Sequence, residues 1–306
     1  VPRPAGVRCR MLRLGAHVST AGGVASAFGR AADLGCDALQ IFVKNANAWR
    51  ARPLAEAEIA AFREAHGATP GPSAPAPLPL VAHAGYLINL CSPKPDVHAR
   101  SREALVDELR RCEALGVPGL VLHPGAHLGE GEEAGLDGVA RALDAVHAEV
   151  GNIGARVLLE NTAGQGTVLG SRLTQLAAIV ARVDAPERVG VCLDTCHAFA
   201  AGYDLAAEDG YQAFVDEVAA TVTLERVAAV HLNDSRFGCG ARKDRHANIG
   251  AGELGLAAFE RWLDDARWGE RPMVLETPLG DDGQGHARDL ATIRGLLGDQ
   301  PSSTRP

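Results

Sequence analysis

The sequence has no apolar run approaching the roughly 18 residues that cross a bilayer, so no membrane-spanning helix is expected. Its opening, VPRPAGVRCRM, lacks the apolar core of a secretory signal, and residues 1–11 are expected to form a flexible extension. A CxxC thiol pair is missing too. The seven cysteines (Cys9, Cys36, Cys91, Cys112, Cys192, Cys196 and Cys239) are odd in number and scattered, with no CxxC pair and no disulfide framework. That gives no sign of a CxxC zinc site or a stapled secreted fold, and points to a reducing, cytoplasmic compartment. An excess of positive charge is also absent, since 30 Lys and Arg face 38 Asp and Glu for a net charge of −8. A basic surface spread over the whole protein is excluded; the field at one local site is not decided by this sum.

What is present begins with length. The 306 residues suit two domains of about 150 residues, or one α/β barrel of about 250 or more. No shift in composition marks a domain boundary. Eight short apolar runs punctuate the chain, at 12–17, 38–43, 80–83, 120–123, 157–160, 190–194, 229–232 and 274–276. Between them, 21–34, 100–115, 173–183 and 211–218 keep apolar residues at helical spacing. Strand and helix alternating in this way give a parallel sheet, and eight units close naturally into a single (β/α)8 TIM barrel over 12–297. A doubly wound open sheet is the competitor, but it gathers ligands at one switch point. The Pro/Ala-rich stretch 67–79 precedes the third strand and reads as a disordered or extended insertion on the face away from chemistry; residues 298–306 read as a flexible tail.

The runs share a peculiarity at their carboxyl ends. VGVCLDTCH reaches Asp194 and His197, VLLEN reaches Glu160, AVHLND reaches His231, MVLET reaches Glu276, LVAH reaches His83 and LVLH reaches His123. A strand that is apolar throughout and then shows one metal-competent residue suits a barrel rim. Singly, each has an ordinary reading: a rim His is a hydrogen-bonded side chain, Asp194 a helix N-cap, Asp234 more plainly one, and Glu276 a buried acid paired with Arg. Together, six of eight strand ends argue otherwise. Imidazole and carboxylate donors without thiolate suit Zn²⁺, Mn²⁺ or Fe²⁺, and they exceed what one tetrahedral ion needs. Asp244 and His246, two apart in an extended segment, project to one side, where both can chelate one ion. A carboxylate such as Glu160 can bridge two ions about 3.5–4 Å apart, the spacing that activates water for phosphoryl transfer.

Weaker features surround this set. Gly164, Gly166 and Gly170 make a glycine-rich loop, Tyr86 and Leu87 sit just past His83, and the long loop 233–255 carries Arg236, Arg242, Lys243 and Arg245. His17 and His127 belong to rim loops, whereas His66, His98, His147 and His286 read as solvated. Cys196 is set aside as a nucleophile.

The stretches GAHVSTAGG (15–23), HAGYLINL (83–90), LVLHPGAH (120–127), LLENTAGQGTVLG (158–170), CLDTCHAFAAGYD (192–204), HLNDSRFGCGARKDRHANIGAGELG (231–255) and VLETP (274–278) resemble the endonuclease IV family of apurinic/apyrimidinic endonucleases. The resemblance extends from Leu12 to Leu297. It implies three zinc ions, with Mn²⁺ acceptable in part: one on His83, His123 and Glu160, a second on the shared Glu160 with Asp194, His231 and Glu276, a third on His197, Asp244 and His246. Three divalent ions among four carboxylates would leave a positive pocket on an acidic protein. It implies a monomer that cuts double-stranded DNA on the 5′ side of abasic sites. A hydroxide bridging two ions, oriented by Glu160, would leave 3′-hydroxyl and 5′-deoxyribose phosphate ends. Tyr86 and Leu87 are expected as a duplex wedge, and Lys44, Arg242, Lys243 and Arg245 as DNA contacts. The sequence departs from the family at Asn47, where members often carry Arg, and at Ala84-Gly85, where some carry polar side chains. The alternatives are a metal-dependent sugar isomerase or epimerase on a similar barrel, and a non-catalytic damage-binding module. The third ligand group counts against the first, the complete ligand set against the second.

Overall fold

The computed structural model describes residues 12–72 and 77–298. Its strands are β1 (Arg13–His17), β2 (Ala38–Phe42), β3 (Leu80–His83), β4 (Gly119–Leu122), β5 (Arg156–Glu160), β6 (Val189–Asp194), β7 (Val227–His231), β8 (Asp234–Ser235), β9 (His246–Ala247) and β10 (Pro272–Leu275). Eight of them pair in parallel as a closed barrel, in the order β1-β10-β7-β6-β5-β4-β3-β2. The short β8 and β9 form a separate antiparallel ribbon, which the sequence pattern does not announce. Every expected strand is present, and the fold is the TIM barrel.

The helices are α1 (Ser26–Asp33), α2 (Glu56–Ala68), α3 (Pro95–Leu115), α4 (Glu132–Val150), α5 (Leu173–Arg182), α6 (Thr195–Ala201), α7 (Glu208–Thr221), α8 (Leu256–Asp264) and α9 (Gly285–Leu296). Helix α1 starts later than the spacing of apolar residues suggests, because Gly22 and Gly23 take φ of 91° and 116°, outside the helical region. Helix α3 starts earlier, at Pro95, whose missing N–H costs nothing in a first turn, and stops at left-handed Gly116. The stretch 67–79 is not wholly extended. Gly67 and Ala68 finish α2, and Leu78 is buried in the core. Residues 73–76 lie outside the described residues, as do 1–11 and 299–306, where flexible ends are expected. Among the described residues, no helix is long and apolar enough to cross a membrane.

Two apolar layers result. The larger lies between barrel and helices and includes Leu39, Leu105, Leu143, Leu176, Phe214 and Trp268. The smaller fills the barrel interior: Val81, Val121, Leu158, Cys192, Ala229 and Val274, one from each of six strands. At Gly15 the packing of β1 on β2 is so close that a Cβ would lie 1.9 Å from the Ala38 carbonyl oxygen.

Candidate metal centre

Side chains along a strand alternate between faces, so the residue two beyond an interior residue also faces the interior, one layer nearer the rim. Two beyond Val81, Val121, Leu158, Cys192, Ala229 and Val274 stand His83, His123, Glu160, Asp194, His231 and Glu276. This alternation puts six donors in one ring directly above the apolar plug. His197 joins from the first turn of α6, which Asp194 caps by accepting the His197 backbone N–H at 2.7 Å. Asp194 is therefore both a cap and a donor. Asp244 and His246 arrive on the loop that ends in β9.

Glu160, fully buried, is the hub. Its Oε2 lies 3.2 Å from His83 Nε2 and 3.0 Å from His123 Nε2; its Oε1 lies 2.9 Å from His231 Nδ1 and 3.2 Å from His197 Nδ1. Among the described residues, three groups have donor atoms within 4.8 Å of one another: His83, His123 and Glu160; Glu160, Asp194, His231 and Glu276; and Asp194, His197 and His246. The first two are the expected groups. The third differs in that Asp194 Oδ2 comes within 3.6 Å of His246 Nε2, while Asp244 Oδ1 stands 3.2 Å from His197 Nε2 and 3.5 Å from His246 Nε2.

Several residues that sequence reasoning missed hold these donors in place. Gln40, buried on β2, accepts the His231 Nε2–H on its Oε1 (2.8 Å) and donates through Nε2 to Glu276 Oε1 (2.6 Å). That leaves His231 Nδ1 to face the carboxylates. Asn233 donates to Asp194 Oδ2 at 2.7 Å and accepts the Glu276 backbone N–H at 2.8 Å. Asn161 joins β5 to β6: its side-chain oxygen accepts the Asp194 N–H, and its backbone carbonyl accepts from His197 Nδ1 at 3.0 Å, freeing His197 Nε2 for the site. His83 Nδ1 likewise donates to the Ala84 carbonyl. Gln40, a lone amide inside ALQIF, was the available signal. Glu276 pairs with His17, Gln40 and His231 rather than an Arg.

The charges are mutually dependent. Burial alone would raise the Glu160 and Glu276 carboxyls, yet the field of His231 and its neighbours holds both well below the usual carboxylate range. Burial likewise opposes protonation of His197 and His231, and the surrounding acids reverse it, pushing both well above normal. Burial works against Asp244 as well, but the hydrogen bond and charge of His197 bring it down to about 2. A cluster in which buried acids and imidazoles stabilise each other's charged forms is also one where cations can replace the protons. The residues fit such ions on a second count. Among the described residues, His246 Nε2 is buried without a hydrogen-bond partner while aimed at Asp194 and Asp244, as an imidazole lone pair open to a ligand would be.

Above the ring opens a cavity of about 800 Å³, lined by His17, Phe42, Tyr86, His123, Asp244 and Glu276 among others. Tyr86 is 66 % and Leu87 36 % exposed, the former edge-on to Phe42. Arg242, Lys243 and Arg245 are exposed, with Lys243 4.3 Å above the Phe237 ring. Lys44, expected as a DNA contact, lies in the wall of this cavity. It is buried, its ammonium 3.3 Å from Glu108 and 3.6 Å from Asp107 and donating to the Trp49 carbonyl, so its charge is consumed inside the protein. Asp234 is not an N-cap either: it closes the loop before α8 by accepting the N–H groups of Ser235, Gly250, Gly252 and Leu254. His147 and His286 are buried rather than solvated, His286 donating to the Thr277 carbonyl in the cavity wall.

Comparison with known proteins agrees with this geometry. A family model described as a xylose isomerase-like TIM barrel matches residues 28–296. The probable endonuclease 4 of Chloroflexus aurantiacus is 45 % identical over 287 residues, covering 94 % of this chain and 99 % of that protein. The crystal structure of endonuclease IV from Thermus thermophilus superposes with a TM-score of 0.80 at 41 % identity, over 94 % of this chain and 100 % of its own. A 3-keto-D-glucoside 4-epimerase from E. coli, at 18 % identity and a TM-score of 0.63 over 93 % of this chain and 100 % of its own, shares the fold alone. With such identity sustained along nearly its whole length, the chain belongs to the endonuclease IV family.

Proposed function

We propose that the protein is a zinc-dependent DNA-repair endonuclease that hydrolyses the phosphodiester 5′ to abasic sites in double-stranded DNA, leaving 3′-hydroxyl and 5′-deoxyribose phosphate ends. The observation that carries this reading is the ring of nine N and O donors, with Glu160 common to two groups, at the floor of an open cavity. By this reading one ion is held by His83, His123 and Glu160, a second by Glu160, Asp194, His231 and Glu276, and a third by His197, Asp244 and His246. Zn²⁺ suits these donors, with Mn²⁺ acceptable in part of the site. When bound, the ions supply Lewis-acid polarisation of the phosphate and lower the pKa of water.

The chain's own groups do the rest. Glu160, immobilised by four imidazoles, orients the attacking water in line with the scissile bond rather than acting as a free base. The carbonyls of Asn161 and Ala84 and the amide of Gln40 fix which nitrogen of His197, His83 and His231 faces the donor cluster. Tyr86 and Leu87 enter the stack beside the lesion. An abasic nucleotide has no base to unstack, so its extrusion costs less than that of an intact one, which is a source of selectivity. Arg242, Lys243 and Arg245 take phosphates. The partner is abasic duplex DNA, and the protein acts as a cytoplasmic monomer.

Elemental analysis joined to cleavage of an abasic-site duplex is the test. About three metals per chain and incision on the 5′ side are expected, given that each donor group holds one ion. A single tightly held ion, or epimerisation of a sugar with no DNA cleavage, would sink the reading.

A further inference from the structure

Tyr86 and Leu87 are presented on a short arch, Gly85–Asn89, whose ends are both held by α3. At one end the Gly85 N–H donates to Glu108 Oε2 at 3.1 Å, with Oε1 at 3.3 Å. At the other the Asn89 N–H donates to Ser101 Oγ at 2.9 Å. Ser101 and Glu108 are seven residues apart, about two helical turns, so they share a face of α3. Both are buried. Ser101 spends its own proton on the Val97 carbonyl, which leaves its oxygen to accept.

The same carboxylate reaches sideways. Glu108 Oε1 lies 3.3 Å from Lys44 Nζ, and Lys44 donates to the Trp49 carbonyl on the loop after β2. That loop supports the arch in turn, since the Tyr86 N–H donates to the Ala46 carbonyl at 3.0 Å. Asn89 also joins the loop after β4, donating to the Ala126 carbonyl and accepting its N–H. Two exposed side chains between such anchors belong to a segment ordered before any partner arrives.

We propose that α3 is the mount of the lesion-reading arch, with Glu108 as a positioning residue that acts through Gly85 and Lys44 to set affinity for abasic duplexes. This rests on the nuclease reading above. The chemistry of the mount supports it. A buried ion pair is a poor way to gain stability, because desolvation offsets its attraction. Here the carboxylate accepts from a loop backbone and a loop-bracing ammonium at once, which an apolar pair could not do. An arch ordered in advance loses less freedom when it enters a duplex, and that gain appears in binding rather than turnover.

Glu108→Gln keeps the volume and removes the charge. Gly85→Ala tests the same contact without changing charge: its Cβ would meet the Ala46 carbonyl oxygen at 3.0 Å and Glu108 Oε1 at 3.2 Å, pressing the arch off its mount. Hydrogen exchange of the DNA-free protein should quicken about tenfold at Gly85 and Tyr86 in either variant, as expected for local opening. KM for an abasic duplex should rise about tenfold with kcat within a factor of about two, the pattern of lost binding. A single-stranded abasic oligonucleotide, with no stack to open, should lose much less than the duplex. Wild-type KM on the duplex in both variants overturns the proposal, as does an equal fall of kcat on both substrates, which would make α3 an ordinary prop. If Glu108→Gln fails to fold, Gly85→Ala carries the test. Failure of the wild-type protein to cleave either oligonucleotide would instead remove the nuclease reading, and the exchange data would still support or overturn the mount.

Discussion

Gln40→Met leaves all nine donors in place and removes only their alignment, so it isolates what orientation contributes. The side chain is fully buried, and Met matches its length without its polar atoms. Three bonds vanish: the 2.6 Å donation to Glu276, the 2.8 Å acceptance of the His231 Nε2–H, and a 2.9 Å contact with His17 Nδ1. A hydrogen bond to a charged group is worth about 1.5–3 kcal/mol, and an orphaned buried donor costs about 1–3 kcal/mol more. The second loss matters more for the site. Without an acceptor at Nε2, His231 can carry its proton on Nδ1, the atom that faces Glu160 at 2.9 Å, and so close the position a cation needs. Loss of such an orienting partner typically weakens metal affinity about 10–100-fold. In competition with a graded chelator, Gln40→Met should therefore release the ion of the His231–Glu276 group first, while the His83–His123 group keeps its own. Release curves that coincide with the wild type would refute the reasoning.

Glu160→Gln retains volume but removes the charge shared by two groups. Turnover on abasic DNA should fall at least about 100-fold while DNA binding persists, since electrostatic positioning of this kind is worth about 10²–10³ in rate. Wild-type cleavage would take Glu160 out of the mechanism. Replacing Arg242 and Lys243 together should lower the slope of log K against log salt by up to about 0.9 for each phosphate no longer neutralised, on damaged and undamaged duplexes alike; an unchanged slope would leave both outside the interface. In chelated protein, the raised pKa values of His197 and His231 contribute stability that is complete below the usual 6.5 and lost as pH rises through their folded values. Asp244, lowered to about 2 from the usual 3.8, contributes above 3.8 and loses that contribution as pH falls toward 2. Tm of the chelated protein should thus decline on the alkaline side more steeply than that of metal-loaded protein, whose imidazoles need no proton. Parallel Tm–pH profiles would contradict this.

The barrel and the donor ring were legible because both follow from period two. Apolar residues continue up each strand until the rim, and the next interior position then changes chemistry, as in Val81 to His83 or Val274 to Glu276. Gln40 follows the same rule, two beyond Ala38, but an amide does not announce a metal and it passed as strand filler. The ion pair of Lys44 is hidden from the sequence for a different reason. A lysine near other basic residues looks like surface, and nothing local reveals that Glu108, 64 positions later, would meet it inside. Long-range pairs of this kind have no signature in spacing. Asp234 was mistaken for a cap because its acceptors are satisfied by N–H groups up to Leu254, across a loop held tight at Gly252, where a Cβ would lie 2.4 Å from its carboxylate.

The order in which the strands supply the ring has a consequence for biosynthesis. His83, His123 and Glu160 come from three successive strands, β3 to β5, so this triad is in hand once residue 160 has been made. The group around His231 must await Glu276, just beyond β10, the last strand, which pairs with β1 to seal the cylinder. A nascent chain, growing at about 5–20 residues per second, therefore exposes one finished metal trap well before the other. The later one is complete only once β10 has paired with β7, the strand that carries His231. A cation taken up there would report that the last strand is seated.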